Sequence, residues 1–339
     1  MTPPANTASW SWDKIANRLI WFISIGVLIN LVLSLWMSGG TQSWQLAEFQ
    51  GSYFLLALLL SLFPWCTHGL RLLLWARLLR RSLSFREAVE VAVLTDVGSA
   101  VTPTVVGGAP LKIGMLKRHG FRTGEAGILV AMSSIEDILF FLGVSIASIW
   151  MAPPIGLSLW KAVETKYHYW LIGAIAFVVF LSVLYRLIWH RQAAGWAKWR
   201  RKLRRAVLET CVVFRFILRS GGTTFLLSAL LNVLQWSSRF GVLLALVAAL
   251  GVEANFLGLF FLQWMVYIAM TLVPTPGASG GAEAAFYLIY QTLLPSSVIG
   301  LASAGWRIIT YYFILFLGLV FLQFGQIARR YKWQLDVPS

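Results

Sequence analysis

The octet Thr102-Pro103-Thr104-Val105-Val106-Gly107-Gly108-Ala109 interrupts an apolar stretch of the chain. A second octet of the same pattern, T-P-x-x-x-G-G-A, follows in the other half as Thr275-Pro276-Gly277-Ala278-Ser279-Gly280-Gly281-Ala282. Proline removes a backbone donor and glycine removes the side chain, so neither octet continues a helix. Within a bilayer, irregular backbone is tolerated only where it is buried in protein or lines a cavity. Paired interruptions in two halves of an apolar chain are typical of a transporter binding site.

The composition places the chain among membrane proteins. Of its 339 residues, 58% are hydrophobic and only 12% are charged, with a mean hydropathy of +0.74. A soluble domain carries about 25% charged residues. Several apolar runs exceed the roughly 18 residues that a spanning helix needs, so we predict an all-α polytopic membrane protein. Its two cysteines form no C-x-x-C or Cys/His cluster, and neither a metal nor a cofactor is expected.

The net charge of +15 does not indicate a nucleic-acid partner. The Lys and Arg residues lie between the apolar runs, as the positive-inside rule describes. Basic loops at a bilayer surface mainly meet anionic lipid headgroups. We therefore expect membrane lipids with anionic headgroups as partners; the oligomeric state is left open.

The spacing of apolar and basic segments predicts six full crossings and two interrupted segments. The interrupted segments are expected to be re-entrant helical hairpins, because the charge pattern puts both ends of each on one side of the membrane. The crossings are predicted at about 19–37, 53–75, 127–150, 169–189, 223–250 and 298–322, and the hairpins at about 88–117 and 256–294.

The same charge pattern gives the two halves opposite orientations. The first hairpin enters from the inside and the second from the outside, which predicts an inverted repeat with both termini cytoplasmic in a bacterial inner membrane. The predicted parts are a cytoplasmic N-terminus (1–18), a first membrane half (19–189), a basic loop with an interfacial helix (190–222), a second half (223–325) and a cytoplasmic tail (326–339).

Five ionisable residues fall inside or beside apolar helices: Glu136, Asp137, Arg239, Glu283 and Arg307. A charge at mid-bilayer costs at least about 2.5–3.5 kcal/mol, so these side chains are expected to face the protein interior.

The depths of Glu136 and Arg307 match in the two halves, which predicts an ion pair between them, with Asp137 facing a cavity instead. A role in proton coupling is the alternative for Glu136, Asp137 or Glu283. Arg71 and Arg239 precede the two interruptions at similar distances, and a guanidinium suits phosphate. For Arg71, snorkelling to the interface is the favoured interpretation. A topology anchor is the alternative for Lys112, and His68 is interpreted as an ordinary polar residue.

The glycine breaks allow two interpretations. They permit close helix packing, or they expose backbone N–H groups at half-helix N-termini that attract an anion. In the second case hydroxyl groups near the breaks add donors. The candidate binding residues are Thr102, Thr104, Gly107, Gly108, Lys112, Arg239, Thr275, Ser279, Gly280, Gly281, Glu283 and Arg307.

These residues resemble the lysylphosphatidylglycerol synthase transmembrane family, also called the flippase-like domain family. The resemblance covers about 15–325. It rests on Gly107-Gly108 followed by Lys112, on Glu136-Asp137, on the run from Pro274 to Glu283, and on Arg307. The chain departs from the family pattern at Asp137, where an arginine is usual, and at Lys112, where an arginine is common. The resemblance implies movement of lipids such as aminoacylated phosphatidylglycerol or polyprenyl-phosphate-linked sugars between leaflets.

Three function classes follow. The first is a flippase for an anionic or phosphate-linked lipid. The second is a transporter of a small soluble anion with the same fold. The third is an intramembrane lipid-modifying enzyme, which the absence of a nucleophile–base pair in the sequence disfavours. No Walker motif is present to use ATP, and no aminoacyl-transferase domain is expected, so we predict a protein that is not an enzyme.

Overall fold

A computed structural model describes residues 49–102, 107–151, 219–273, 275 and 277–321, with positions 208, 214, 215 and 217. Within these ranges every regular element is a helix, which agrees with the predicted all-α class. The predicted crossings at 19–37 and 169–189, both termini and most of the basic loop lie outside the described residues.

Four of the described helices are long and apolar enough to cross a membrane, and they correspond to four predicted crossings. The remaining four are shorter and are paired around the two octets. In chain order the helices are α1 (Gly51–Leu78), α2 (Phe85–Val101), α3 (Gly108–Arg118), α4 (Thr123–Met151), α5 (Gly222–Ala249), α6 (Phe256–Leu272), α7 (Gly281–Tyr290) and α8 (Ser296–Phe321).

The order of long and short helices repeats in the two halves. Helices α1 and α5 both have 28 residues, and α2 and α6 both have 17. The short helices after the breaks, α3 and α7, have 11 and 10 residues. Each half of the described chain therefore reads long helix, medium helix, break, short helix, long helix.

Both predicted interruptions are present. Helix α2 ends at Val101 and α3 begins at Gly108, while α6 ends at Leu272 and α7 begins at Gly281. In each case the second helix folds back along the first. A Cβ on Gly108 would overlap the side chain of Ser99 in α2, and the hydroxyl of Tyr290 donates to the carbonyl of Leu259 at 3.0 Å.

Helices α1 and α5 run antiparallel and join the two halves along an extended contact. The backbone N–H of Gln50, at the start of α1, donates to the carbonyl of Ala249 at the end of α5 (2.8 Å). Farther along, the indole of Trp75 donates to the hydroxyl of Ser228 (3.1 Å). This α1–α5 seam places polar side chains from both halves in one shared interior.

Apolar side chains cover the outside of the long helices, while charged ones lie within. Leu59, Leu142 and Leu230 are among the exposed residues of α1, α4 and α5. Arg71 and Arg307 are almost fully buried. This arrangement fits a protein whose surroundings are lipid and whose polar groups face one another.

Helix α8 contains a π-helical segment at Ile308–Phe313, directly after Arg307. Such wide turns inside a helix are frequent at functional sites. The segment carries Tyr311 and Tyr312, which face the two breaks described below.

Candidate functional site

The second break is held by Arg307 and Glu283. One carboxylate oxygen of Glu283 accepts from the backbone N–H of Gly280 (2.7 Å), and the other accepts from Nε of Arg307 (2.8 Å). A terminal nitrogen of Arg307 also donates to the carbonyl of Gly277 (2.7 Å). Arg307 is 1% exposed. The carboxylate and the guanidinium together fix the irregular backbone where α7 begins.

Tyr311 brings the two breaks together. Gly277 has a φ of +61°, and a Cβ there would overlap the phenol ring of Tyr311. The hydroxyl of the same tyrosine donates to the carbonyl of Ala100, one residue before the end of α2, at 2.9 Å. The ring also lies 4.8 Å from the guanidinium of Arg307. One side chain of α8 thus contacts both interruptions.

The hydroxyl groups predicted as ligand donors hold the breaks in shape. The Thr102 hydroxyl donates to the carbonyl of Gly98 (2.8 Å) and accepts from the N–H of Gly107 (2.9 Å). The Thr275 hydroxyl donates to the carbonyl of Ser279 (3.0 Å). Thr104 lies outside the described residues. The N–H groups of Gly107 and Gly280 have acceptors within the protein, so these two groups are not free donors for an anion.

The Ser279 side chain is hydrogen-bonded to Tyr312 of the π segment. Gly281 faces Val273 so closely that any Cβ would overlap that side chain. Gly108 packs in the same way against Ser99 and Thr95. The close-packing interpretation of the glycines therefore holds for Gly108 and Gly281.

Arg71 and Glu136 form a buried ion pair between α1 and α4. Both Nε and a terminal nitrogen of Arg71 donate to the same oxygen of Glu136, while the other terminal nitrogen donates to the side chain of Gln235 in α5 (3.0 Å). Arg71 is 3% exposed, so snorkelling is wrong. The predicted Glu136–Arg307 pair is also wrong, because each residue has its partner within its own half.

Lys112 is buried rather than placed at a membrane edge. Its ammonium contacts Nε2 of His68 in α1 (3.1 Å) and donates to the hydroxyl of Ser133 in α4 (2.8 Å). It is 3% exposed and makes no ion pair with a described carboxylate. The topology-anchor interpretation is wrong, and His68 is part of this buried contact.

Asp96 is a site residue that the sequence reasoning missed. One of its oxygens accepts from the indole of Trp65 (3.1 Å) and from a terminal nitrogen of Arg239 (3.1 Å). The side chains of Arg239 and Asp96 are 27% and 21% exposed, far more than the other interior ion pairs. The signal was available, because a carboxylate in the apolar run of α2 needs a partner.

Asp137 contacts α5 through an aromatic group. Its carboxylate accepts from the indole of Trp236 (2.8 Å), and that ring lies 5.5 Å from the guanidinium of Arg239. Phe140 stacks on the same indole, and Tyr267 meets it edge-on. Asp137 therefore adjoins the Asp96–Arg239 pair through Trp236.

These contacts assemble one polar interior from both halves of the described chain. It holds equal numbers of cationic and acidic side chains. We use the name polar interior for Arg71, Lys112, Arg239, Arg307, Asp96, Glu136, Asp137 and Glu283 with their hydrogen-bond partners. Of the predicted site residues in described ranges, Lys112, Arg239, Glu136 and Asp137 lie at its centre, and Arg307 and Glu283 lie at the second break.

Comparison with known proteins identifies the family. A sequence profile described as the lysylphosphatidylglycerol synthase TM region matches residues 21–318. The chain belongs to this family. A UPF0104 membrane protein from Archaeoglobus fulgidus is 26% identical over 336 residues, covering 91% of this chain and 98% of the relative. The family match includes both breaks and the whole polar interior, so these features lie in the part of the chain that defines the family.

Proposed function

We propose that this chain is a lipid flippase that moves an anionic or phosphate-linked lipid between membrane leaflets. The observation that carries the proposal is the Asp96–Arg239 pair, which is partly exposed. Trp65, which donates a hydrogen bond to Asp96, lies at the middle of α1, and Arg239 lies near the middle of α5.

A partly exposed ion pair at the middle of membrane-spanning helices needs a polar environment. A charge at mid-bilayer faces protein or a water-filled cavity, because contact with acyl chains costs several kcal/mol. The partial exposure of Arg239 and Asp96 therefore supports an opening that reaches the centre of the protein. A flippase requires such an opening for the headgroup while the apolar tails stay in the bilayer.

The chemistry of Arg239 suits an anionic headgroup. A guanidinium binds phosphate through paired hydrogen bonds. One terminal nitrogen of Arg239 is bound to Asp96, whereas its Nε has no partner. Arg71, Lys112 and Arg239 all lie close enough to His68 to interact with it electrostatically, so we assign these three cations to the headgroup site.

The proposed topology has six crossings and two re-entrant hairpins, with both termini cytoplasmic in a bacterial inner membrane. The repeated helix lengths and the antiparallel α1–α5 seam support an inverted repeat. The contact of Tyr311 with both breaks supports hairpins whose tips meet near the bilayer centre. The basic residues of 190–222 would face anionic lipids.

We further propose that the chain moves lipid without changing it chemically. The polar interior is arranged as paired charges, with Arg71, Arg239 and Arg307 each bound to a carboxylate. Paired groups bind and orient an ionic headgroup. An enzyme would alter the lipid, and thin-layer chromatography after incubation with the protein separates the two activities.

The test uses the full chain in phosphatidylcholine vesicles with a trace of fluorescent phosphatidylglycerol. Dithionite bleaches the outer leaflet, so leaflet exchange appears as loss of the protected half of the signal. We expect exchange with the wild type and at least about a tenfold lower rate with Arg239→Gln, because removing one charge-assisted contact costs about 1.5–3 kcal/mol.

Arg81→Gln is the matched control. Arg81 also pairs with a carboxylate, Glu125 (2.9 Å), but lies at the helix ends rather than in the polar interior. It should leave exchange unchanged. Equal rates for the wild type and Arg239→Gln would contradict the proposal. A soluble-anion transporter would instead move radiolabelled phosphate into the vesicles without lipid exchange.

A further inference from the structure

Besides Nε of Arg239, two buried polar groups on α4 and α5 have no hydrogen-bond partner in the described part of the structure. They are Oε1 of Glu136 and the side-chain amide of Asn232, whose nitrogen and oxygen are both unpaired. Glu136 is 2% exposed and Asn232 is 1% exposed. Unpaired buried polar atoms are rare and costly, so each one calls for an explanation.

Both groups adjoin contacts of Arg71 in α1, which binds Glu136 of α4 directly and binds Gln235, three residues from Asn232 on α5. Ser228, Asn232 and Gln235 follow one another at helical spacing on α5. Ser228 bonds to Trp75, and Gln235 bonds to Arg71 of α1. Asn232 lies between these two contacts, next to the stretch of α1 that carries Arg71. Arg71 in turn holds the other oxygen of Glu136.

We propose that Glu136 is a proton-binding site that couples proton movement to headgroup movement. Arg71 occupies Oε2 with two donors and leaves Oε1 free to take a proton. The amide of Asn232 is a buried and unpaired donor and acceptor on α5, close along the helix to the Arg71–Gln235 contact, and a water molecule would use it. This inference rests on the proposed flippase function.

The other carboxylates of the polar interior are engaged differently. Both oxygens of Glu283 accept hydrogen bonds that fix the second break. Asp96 shares one oxygen between two donors and is partly exposed. The charged and titratable groups around the cluster of Glu136, Lys112 and Arg239 are Arg71 and His68 of α1, Asp96 of α2, Asp137 of α4 and Tyr267 of α6.

The balance of charge in the polar interior couples proton binding at Glu136 to headgroup binding. When a proton from water binds, an O–H bond forms at Oε1 and the carboxyl becomes neutral. The buried guanidinium of Arg71 then lacks a counter-charge, which is unfavourable in a low-dielectric interior. An anionic headgroup beside Arg71, Lys112 and Arg239 restores neutrality. Proton binding and headgroup binding therefore favour each other, and by linkage the effect is reciprocal.

For a lipid with one negative charge, this coupling is an electroneutral symport. The test places the full chain in vesicles with fluorescent phosphatidylglycerol and a gradient of one pH unit, then measures the steady-state distribution between leaflets. We expect up to about a tenfold excess in the alkaline-side leaflet, the ratio that one proton per lipid permits. Glu136→Gln should remove the asymmetry, so that whatever lipid it still exchanges is evenly distributed.

Glu125→Gln is the matched control, because Glu125 is on the same helix and also pairs with an arginine. It should retain the wild-type asymmetry. Infrared spectroscopy of the purified protein detects proton binding at Glu136 independently of lipid movement. The infrared band of a protonated carboxyl should appear as pH falls in the wild type and in Glu125→Gln, and should be lost in Glu136→Gln.

Asn232→Leu provides a second test in case Glu136→Gln does not fold. Its replacement breaks no hydrogen bond, because the amide of Asn232 has no partner among the described residues. It should shift the midpoint of the infrared titration. Lipid exchange without asymmetry in the wild type, or asymmetry that survives Glu136→Gln, would overturn the proton site. Absence of lipid exchange with the Glu136 band present would instead overturn the flippase proposal alone.

Discussion

The hydroxyl of Tyr311 donates a hydrogen bond to the carbonyl of Ala100, so the last described helix is bound to the end of α2 beside the first break. The ring of the same residue packs on Gly277 in the second break. The two interruptions, which are far apart in sequence, are therefore adjoining parts of one structure. We therefore expect a change at one break to affect the other through this side chain.

Tyr311→Phe should separate the two effects of the tyrosine. The ring remains packed on Gly277, and only the hydrogen bond to Ala100 is lost. We expect the free energy of unfolding to fall by about 1 kcal/mol, the usual value of such a bond. Denaturant unfolding in detergent measures it. An unchanged stability would mean that the hydroxyl does not hold the breaks together.

Gly108→Ala should destabilise the first hairpin, whereas Gly114→Ala in the same helix should not. A Cβ on Gly108 would overlap Ser99 and press on the carbonyl of Thr95, while a Cβ on Gly114 meets nothing within 4 Å. Overpacking costs about 1–3 kcal/mol, and alanine is favoured over glycine in a helix by up to about 1 kcal/mol. The two melting temperatures should therefore change in opposite directions.

Arg71→Leu and Glu136→Leu should each be strongly destabilising, and the double variant should be less so. Removing one partner leaves a buried charge unpaired, at a cost of about 3–5 kcal/mol. A double-mutant cycle on Arg81 and Glu125 is the control, because their side chains are 31% and 12% exposed. It should give a coupling energy of about 1 kcal/mol or less. Similar coupling energies in the two cycles would contradict the buried character of the first pair.

Asp96→Asn should strengthen binding of an anionic headgroup. The substitution keeps an oxygen for Trp65 but removes the charge that occupies Arg239. Short-chain phosphatidylglycerol should then stabilise the variant at lower concentrations than it stabilises the wild type, because stabilisation grows with the ratio of ligand to Kd. The thermal shift with short-chain phosphatidylcholine is the control and should not change.

Several features of this structure follow from the sequence, because they depend on local chemistry. A single proline or glycine is tolerated within a helix, as Pro64 is in α1, but a proline followed within six residues by two glycines ends one, so the two breaks were predictable from the octets alone. The burial of Glu136 and Arg307 followed from the cost of a charge in an apolar helix. The ion-pair partners of these two residues did not follow from the sequence. Equal depth fixes the position of a group along its helix, but not the direction in which it points.

The pairing of Arg307 shows why direction matters. Its carboxylate partner, Glu283, is 24 residues away and lies beside the break that Arg307 also binds through Gly277. A rule based on matching depths in the two halves had chosen Glu136 instead. Asp96 escaped notice because α2 mixes small, polar and apolar residues, so one carboxylate there is less conspicuous than in a uniformly apolar helix.

The α1–α5 seam has a consequence for which parts of the protein move. Separating these helices would break the bonds of Trp75 to Ser228 and of Arg71 to Gln235, at about 1 kcal/mol for a neutral bond and more for a charged one. The short helices after the breaks have no such long interface. We therefore expect α1 and α5 to act as a fixed frame, against which the hairpins of the two halves tilt in turn to admit a headgroup from opposite sides.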